Sequence, residues 1–225
     1  MLRLRLDWAL VLAPSSGLCA CLFPSLDGLH QGDAAAPDGS SDAANDAGDA
    51  APQPVGLIAS WTFDEDGGTT LHDVTGHGHD GVITGGTWIA GHSGSALSFN
   101  GTSDFVSVPA ANAFDKASGA PFSITAWVMR GGTFSHDLVL SIAFGPSSAM
   151  YGMEAQGNTL INYWDGVDHI ATSTVDFSGT WHHVAVVVSS GTIATAYFDG
   201  VQVGSATNAD NVARTCTGVM IGASN

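Results

Sequence analysis

The chain has 225 residues, with 21 Asp and Glu against five Lys and Arg, a formal net charge of −16, and 29 glycines. That length fits one ordinary domain plus a tail. The charge excludes a nucleic-acid backbone binder, which needs clustered cations: only Lys116, Arg130 and Arg214 lie beyond residue 5. No apolar run reaches the roughly 18 residues of a spanning helix, and no Gly-X-Y period points to collagen.

At the N-terminus, Arg3 and Arg5 precede an apolar stretch, Trp8 to Ala13, followed by small residues and by Cys19 and Cys21. A positive start, a short apolar core and small residues before a cut make the pattern of an export signal. Leu18-Cys19-Ala20-Cys21 resembles a bacterial lipoprotein box, with Cys21 as the lipidated residue. The resemblance implies a signal over residues 1–20 and a secreted or cell-envelope protein. Its only membrane attachment would be the N-terminal lipid. With Cys21 lipidated and Cys19 removed, Cys216 stands alone and no internal disulfide forms.

Residues 21–54 read as a disordered acidic linker. Between 27 and 54 lie eight Ala and six Asp, with no Lys, Arg, Phe, Trp or Tyr. Such a segment buries too little apolar surface to offset its ordering entropy. As a flexible coil it spans about 30 Å, more with charge repulsion, and acts as a tether.

From Val55 the composition changes to short apolar and aromatic runs separated by Gly, Asp, Asn and Ser. Strands are predicted over 57–63, 81–84, 95–99, 105–108 and 122–128. Further strands are predicted over 137–144, 151–155, 159–164, 181–188, 193–198, 201–203 and 219–222. Asn100-Gly101 and Asp199-Gly200 are hairpin-turn signals. Phe122, Ile124, Ala126 and Val128 share one face of their strand. Helix signals are confined to one turn within 110–117. The fold class is therefore all-β: two packed antiparallel sheets over a single domain, residues 55–225.

Five segments in order carry a family resemblance: 61–81 (WTFDEDGGTTLHDVTGHGHDG), 94–109 (GSALSFNGTSDFVSVP), 122–128 (FSITAWV), 181–187 (WHHVAVV) and 197–205 (YFDGVQVGS). Together they resemble the laminin G-like, concanavalin A-like lectin/glucanase jelly roll. The resemblance implies a two-sheet jelly-roll sandwich. It also implies one more strand after Ile221-Gly222, which this sequence does not show. The expectation is that the chain is a fragment, that the gene is truncated or that a partner supplies the missing strand, and that the domain is less stable than a full relative.

The same residues bear on site chemistry. Glycosidases need two carboxylates about 5–9.5 Å apart. This chain has two Glu, Glu65 and Glu154, and lacks the Glu-x-Asp-x-x-Glu strand pattern of related glucanases. For calcium, which takes oxygen ligands, the resemblance implies Asp73 with carbonyls near Gly76 and Gly78, facing Asp104. His72, His77 and His79 lack a strong zinc spacing and read as turn histidines. In His182-His183, alternation turns one ring to the core, where it is expected to bond a backbone group. Trp61, Trp127 and Trp181 read as core or intersheet packing. Tyr163, Trp164 and Asp165 form a sugar-stacking candidate.

The leading expectation is a non-catalytic extracellular recognition or adhesion module that binds glycans or surface proteins, with a structural calcium ion as its cofactor. The alternatives are a purely structural surface lipoprotein without a ligand, and a glycoside hydrolase.

Overall fold

The computed structural model describes residues 2–5, 56–131, 137–144, 149–156, 159–164, 167–171, 175–189, 193–207 and 213–222. The reading of Cys21 and of the linker at 21–54 lies outside these residues. In chain order the strands are β1 (Leu2–Arg5), β2 (Thr70–Leu71), β3 (Gly81–Thr84), β4 (Thr87–Ala90), β5 (Ser95–Phe99), β6 (Phe105–Val108), β7 (Phe122–Arg130) and β8 (Asp137–Phe144). They continue as β9 (Ala149–Gln156), β10 (Thr159–Trp164), β11 (Val167–Ala171), β12 (His182–Ser189), β13 (Ile193–Phe198), β14 (Val201–Thr207) and β15 (Cys216–Ile221). The helical signal is a 3-10 turn, Asn112–Phe114, inside the expected segment. No helix among the described residues is long and apolar enough to cross a membrane.

The strands form two antiparallel sheets. One has seven strands in the order β14-β13-β12-β7-β1-β5-β4, the other eight in the order β11-β10-β9-β8-β15-β6-β3-β2. This is the sandwich expected from the strand pattern. The core lies between the sheets. Ile124, Ala126, Val184 and Val186 from one sheet and Val106, Leu140, Met153 and Val219 from the other are all at most 2% exposed. Alternation explains the choice: Phe122, Ile124, Ala126 and Val128 are buried while Ser123, Thr125 and Trp127 are partly exposed. Trp127 is thus corrected from core packing to the outer face of its sheet, because period-two geometry gives it the side opposite Ile124.

Residues 57–63 are the main departure. They bury Leu57, Ala59, Trp61 and Phe63 but form no strand. Their backbone groups bond to the loop at 73–79 instead: the Ser60 N–H donates to Asp73, and the Ser60 carbonyl accepts from the Val74 N–H at 2.9 Å. Phe63 sits at a φ of 58°, which ends any extended run. A buried alternating segment whose hydrogen bonds go to a loop has the pattern of a strand without its ladder.

The strand at the N-terminus was not expected. Leu2–Arg5, inside the segment read as an export signal, pair with both β5 and β7.

Candidate functional site

The loop between Asp64 and Asp80 is built on carboxylates that accept hydrogen bonds from backbone. Asp73 is its centre. Its Oδ1 accepts from the Ser60 N–H at 3.1 Å, the Thr75 N–H at 3.1 Å and the Thr75 hydroxyl at 2.7 Å; its Oδ2 accepts from the His79 N–H at 3.1 Å. Burial alone would raise the Asp73 pKa. The hydrogen bonds from Thr75, Ser60 and His79 outweigh it, and the carboxyl is held below its usual value of 3.8. Asp80 accepts from the Asp73 N–H at 2.8 Å and faces the His72 ring at 3.3 Å, while Glu65 accepts from the His72 N–H at 2.7 Å.

The histidines of this loop also hold structure. The His77 ring donates to the Ile58 carbonyl at 2.8 Å. The His79 carbonyl accepts from the Trp61 indole N–H at 2.9 Å, and its ring lies 4.7 Å from that of Phe114. Gly76 and Gly78, with φ of 79° and 81°, supply the left-handed turns between these anchors.

The calcium expectation meets this geometry poorly. Three N–H or O–H groups point their positive ends at Asp73 Oδ1 and one more at Oδ2. Asp104 belongs to a separate turn, in which its Oδ2 accepts from the Asn100 N–H at 3.0 Å and Asn100 Oδ1 accepts from the amides of Thr102, Ser103 and Asp104. Among the described residues, no group of three or more His, Cys, Asp or Glu is arranged to hold a metal. The donor set around Asp73, Gly76, Gly78 and Asp104 does not fit a calcium ion as it stands.

Asp64, Asp115 and Asp176 are used in the same way. Asp64 accepts from the Ser95 N–H at 3.0 Å, and Asp66 from the Ser95 hydroxyl. Asp115 accepts from the Cys216 N–H at 2.7 Å, 101 residues along the chain. Asp176 accepts from both the hydroxyl and the N–H of Ser178, and these two bonds lower its pKa from 3.8. Glu154 is only 5% exposed, on β9. Burial pushes the Cys216 thiol up, which keeps it protonated.

Aromatic groups sit at two places outside this loop. On the outer face of the seven-stranded sheet, the His92 ring stacks on Trp127 at 3.7 Å and 14°, and His183 meets the same indole edge-on at 5.4 Å. His182 lies on the core-facing side of β12, stacked on Phe198 at 4.6 Å. Alternation thus separates the two histidines as expected. The partner of His182 is corrected, however: its Nδ1 bonds Asp199 Oδ2 at 2.7 Å rather than a backbone carbonyl. The signal for this was the Asp199-Gly200 turn, which brings the carboxylate back beside β12.

The second place is the β10–β11 pair. Tyr163 and Trp164 end β10, opposite Asp168 and Val167 across a bulge that begins after Asn162. Asp165 lies outside the described residues.

The model of the concanavalin A-like lectin/glucanases superfamily matches residues 100–225, more than half of the chain. The chain belongs to that superfamily. The match leaves out the motif at 61–81, so the loop built on Asp73 rests on its own geometry. A search of curated proteins gives no match. Among solved structures, the binding domain of Paraclostridial mosquitocidal protein 1 is similar at a TM-score of 0.56 and 13% identity, over 73% of this chain and 44% of that one. The botulinum neurotoxin serotype G binding domain follows at 0.54 and 13%, over 73% and 42%. The binding domain of botulinum neurotoxin DC in complex with SialylT gives 0.50 and 12%, over 70% and 41%. The chain spans less than half the length of each, and at these identities the likeness is one of fold.

Proposed function

We propose that the lectin/glucanase member is a non-catalytic recognition module that binds glycans at the cell envelope or outside the cell. The observation that carries this is the use of its carboxylates. Asp64, Glu65, Asp73, Asp80, Asp104, Asp115, Asp176 and Asp199 each accept a backbone N–H, and so build loops. A glycosidase needs an acid and a partner carboxylate facing a sugar. Within a lectin/glucanase fold, carboxylates committed to loops favour binding. The similar structures named as binding domains support the same reading.

For the contact itself we assign Tyr163 and Trp164 at the end of β10, with Asp165 next in the sequence. Indole and phenol rings stack on the C–H faces of sugars, and a carboxylate accepts their hydroxyls. Cys21 would carry the lipid and the 21–54 segment the spacing. The test is a glycan array probed with the full chain, followed by titration of the best glycan. Trp164→Ala is expected to weaken binding at least tenfold, about 1.4 kcal/mol, without moving the melting midpoint. Absence of binding to any glycan overturns the reading and leaves a surface protein as partner or a purely structural role. For the anchor, fatty-acid labelling of the expressed chain should be abolished by Cys21→Ser.

A further inference from the structure

Four strands of the seven-stranded sheet turn an uncharged face outward. Along β7, β12 and β13 the outward positions are the odd ones over 123–129, 183–189 and 193–197. Their even neighbours Ile124, Ala126, Val184, Val186, Ala194 and Ala196 are buried in the core. On β14 the register continues the face through 202, 205 and 207, opposite 197, 195 and 193. None of these positions holds Asp, Glu, Lys or Arg, in a chain with a formal net charge of −16. Solvent-facing positions ordinarily carry charged side chains; here Ser, Thr, Gln and aromatic residues predominate. Arg5 and Arg3 pair with Trp127 and Met129 from β1, in the segment that cleavage before Cys21 would remove.

Two large rings stand on this face, Trp127 and Tyr197, both half-buried. Trp127 opposes His183 across β7 and β12, and Tyr197 opposes Ala185 across β13 and β12. Tyr197 is therefore two strands and two residues from Trp127, about 12 Å between backbone positions. A short oligosaccharide spans that distance. Between the rings the register places Ala185 and Thr125, whose short side chains leave the floor low. The His92 ring lies flat on the Trp127 indole at 3.7 Å and 14°, so this indole already receives a flat ring. Toward the sheet edge, Gln202, Ser205 and Thr207 are exposed.

We propose that this face is a second glycan-binding surface, which takes an uncharged polysaccharide laid across β7, β12, β13 and β14. Trp127 and Tyr197 stack on the C–H faces of its sugars, while Thr125, Thr195 and Gln202 exchange hydrogen bonds with its hydroxyls. An acidic glycan is repelled by a chain of net charge −16 and finds no cation on these four strands. A neutral one meets neither obstacle. The inference rests on the reading of the module as a glycan binder, but not on Tyr163 and Trp164, whose strand belongs to the other sheet.

The test is calorimetric titration of the full chain with uncharged hexasaccharides of glucose, mannose and xylose, and with an alginate hexasaccharide as the charged control. Each titration is repeated in Trp164→Ala, which isolates this face. There, at least one uncharged hexasaccharide is expected to bind, with an affinity that salt leaves unchanged, and alginate is not. Adding Trp127→Ala or Tyr197→Ala should each weaken that binding about tenfold. If one of these variants does not fold, the other decides. Binding lost already in Trp164→Ala overturns this surface and leaves the site on β10 standing. Binding that survives both ring substitutions, or that favours alginate, overturns it as well. No binding of any glycan by the unaltered chain overturns the glycan reading itself, and this inference with it.

Discussion

The carboxylate of Asp73 accepts the N–H of Ser60, thirteen residues earlier, at 3.1 Å. Together with the bonds from Thr75 and His79, this ties the buried segment 57–63 to the loop that follows β2. Replacing Asp73 by Ala removes the acceptor for all of them and leaves the Ser60 amide without it. We expect a loss of about 2–3 kcal/mol, since an unmet buried donor costs roughly 1–3 kcal/mol. Asp73→Asn keeps one acceptor oxygen and should cost less. Urea unfolding checks both, through a lower midpoint at unchanged slope.

The same carboxylate gives the acid response a sign. The folded pKa of Asp73 lies below 3.8, while the unfolded one is the ordinary value. A group with a depressed folded pKa contributes stability that is fully present above the unfolded pKa and is lost as pH falls through the folded one. Stability should therefore be flat in this contribution from neutral pH down to about 5, and decline below about 4. In Asp73→Asn that part of the decline should be reduced. Melting midpoints between pH 7 and 3 measure it, and an equal slope in both proteins would remove Asp73 as a cause.

Much of the architecture was legible because period-two burial is local information. β3, β5 and β6 have the predicted limits to the residue, and β7 shows the predicted face. What failed was information about partners. Residues 57–63 alternate as a strand does, yet their amides go to a side chain in a loop. β2, β4 and β11 have only two, four and five residues and were missed, since runs so short carry little periodicity. β1 was missed because its pairing is set by a gap far along the chain and not by its own four residues. At the site level, the sequence put Asp73 and the glycines of its loop together and left the hydrogen-bond partners of Asp73 unread. The structure fills those oxygens with N–H and O–H groups, and no sequence pattern states which donor reaches a carboxylate first.

Calcium gives the next expectation. A ligand at 100 times its dissociation constant adds about 2.7 kcal/mol, which for a domain of this size is about 5–10 °C. With Asp73 Oδ1 occupied by three donors, millimolar calcium after EDTA should leave the melt of the full chain unmoved. A shift of several degrees, lost in Asp73→Ala or Asp104→Ala, would mean that the loop rearranges to take the ion.

Asp199 joins turn chemistry to a side-chain pair. It has a φ of 49° and Gly200 a φ of 78°, the two positive values that a type I′ hairpin needs. Its carboxylate also accepts from the His183 N–H at 2.8 Å and bonds His182 at 2.7 Å. Asp199→Asn tolerates the left-handed backbone and keeps an acceptor. Asp199→Ala loses both, and should cost about 1–2 kcal/mol more. Chemical denaturation of the pair reads this difference. Equal losses would show that the negative charge, which both variants lack, sets the cost, and neither the turn conformation nor the acceptor oxygen.

Two glycines separate backbone strain from packing. Gly222 and Gly179 both have a φ of 76°, so each alanine variant pays a similar penalty for the left-handed conformation, about 1 kcal/mol. Their surroundings differ. An added Cβ at Gly179 meets nothing within 4 Å, whereas at Gly222 it meets the Phe99 ring at 2.8 Å. Phe99 is fully buried on β5, opposite Leu2, and has no room to yield without disturbing the core. Overpacking of this kind costs about 1–3 kcal/mol beyond the strain. Gly222→Ala is therefore expected to be destabilised by about 2–4 kcal/mol and Gly179→Ala by about 1 kcal/mol. The difference between the two urea midpoints, converted at a common slope, measures the packing of Phe99 alone.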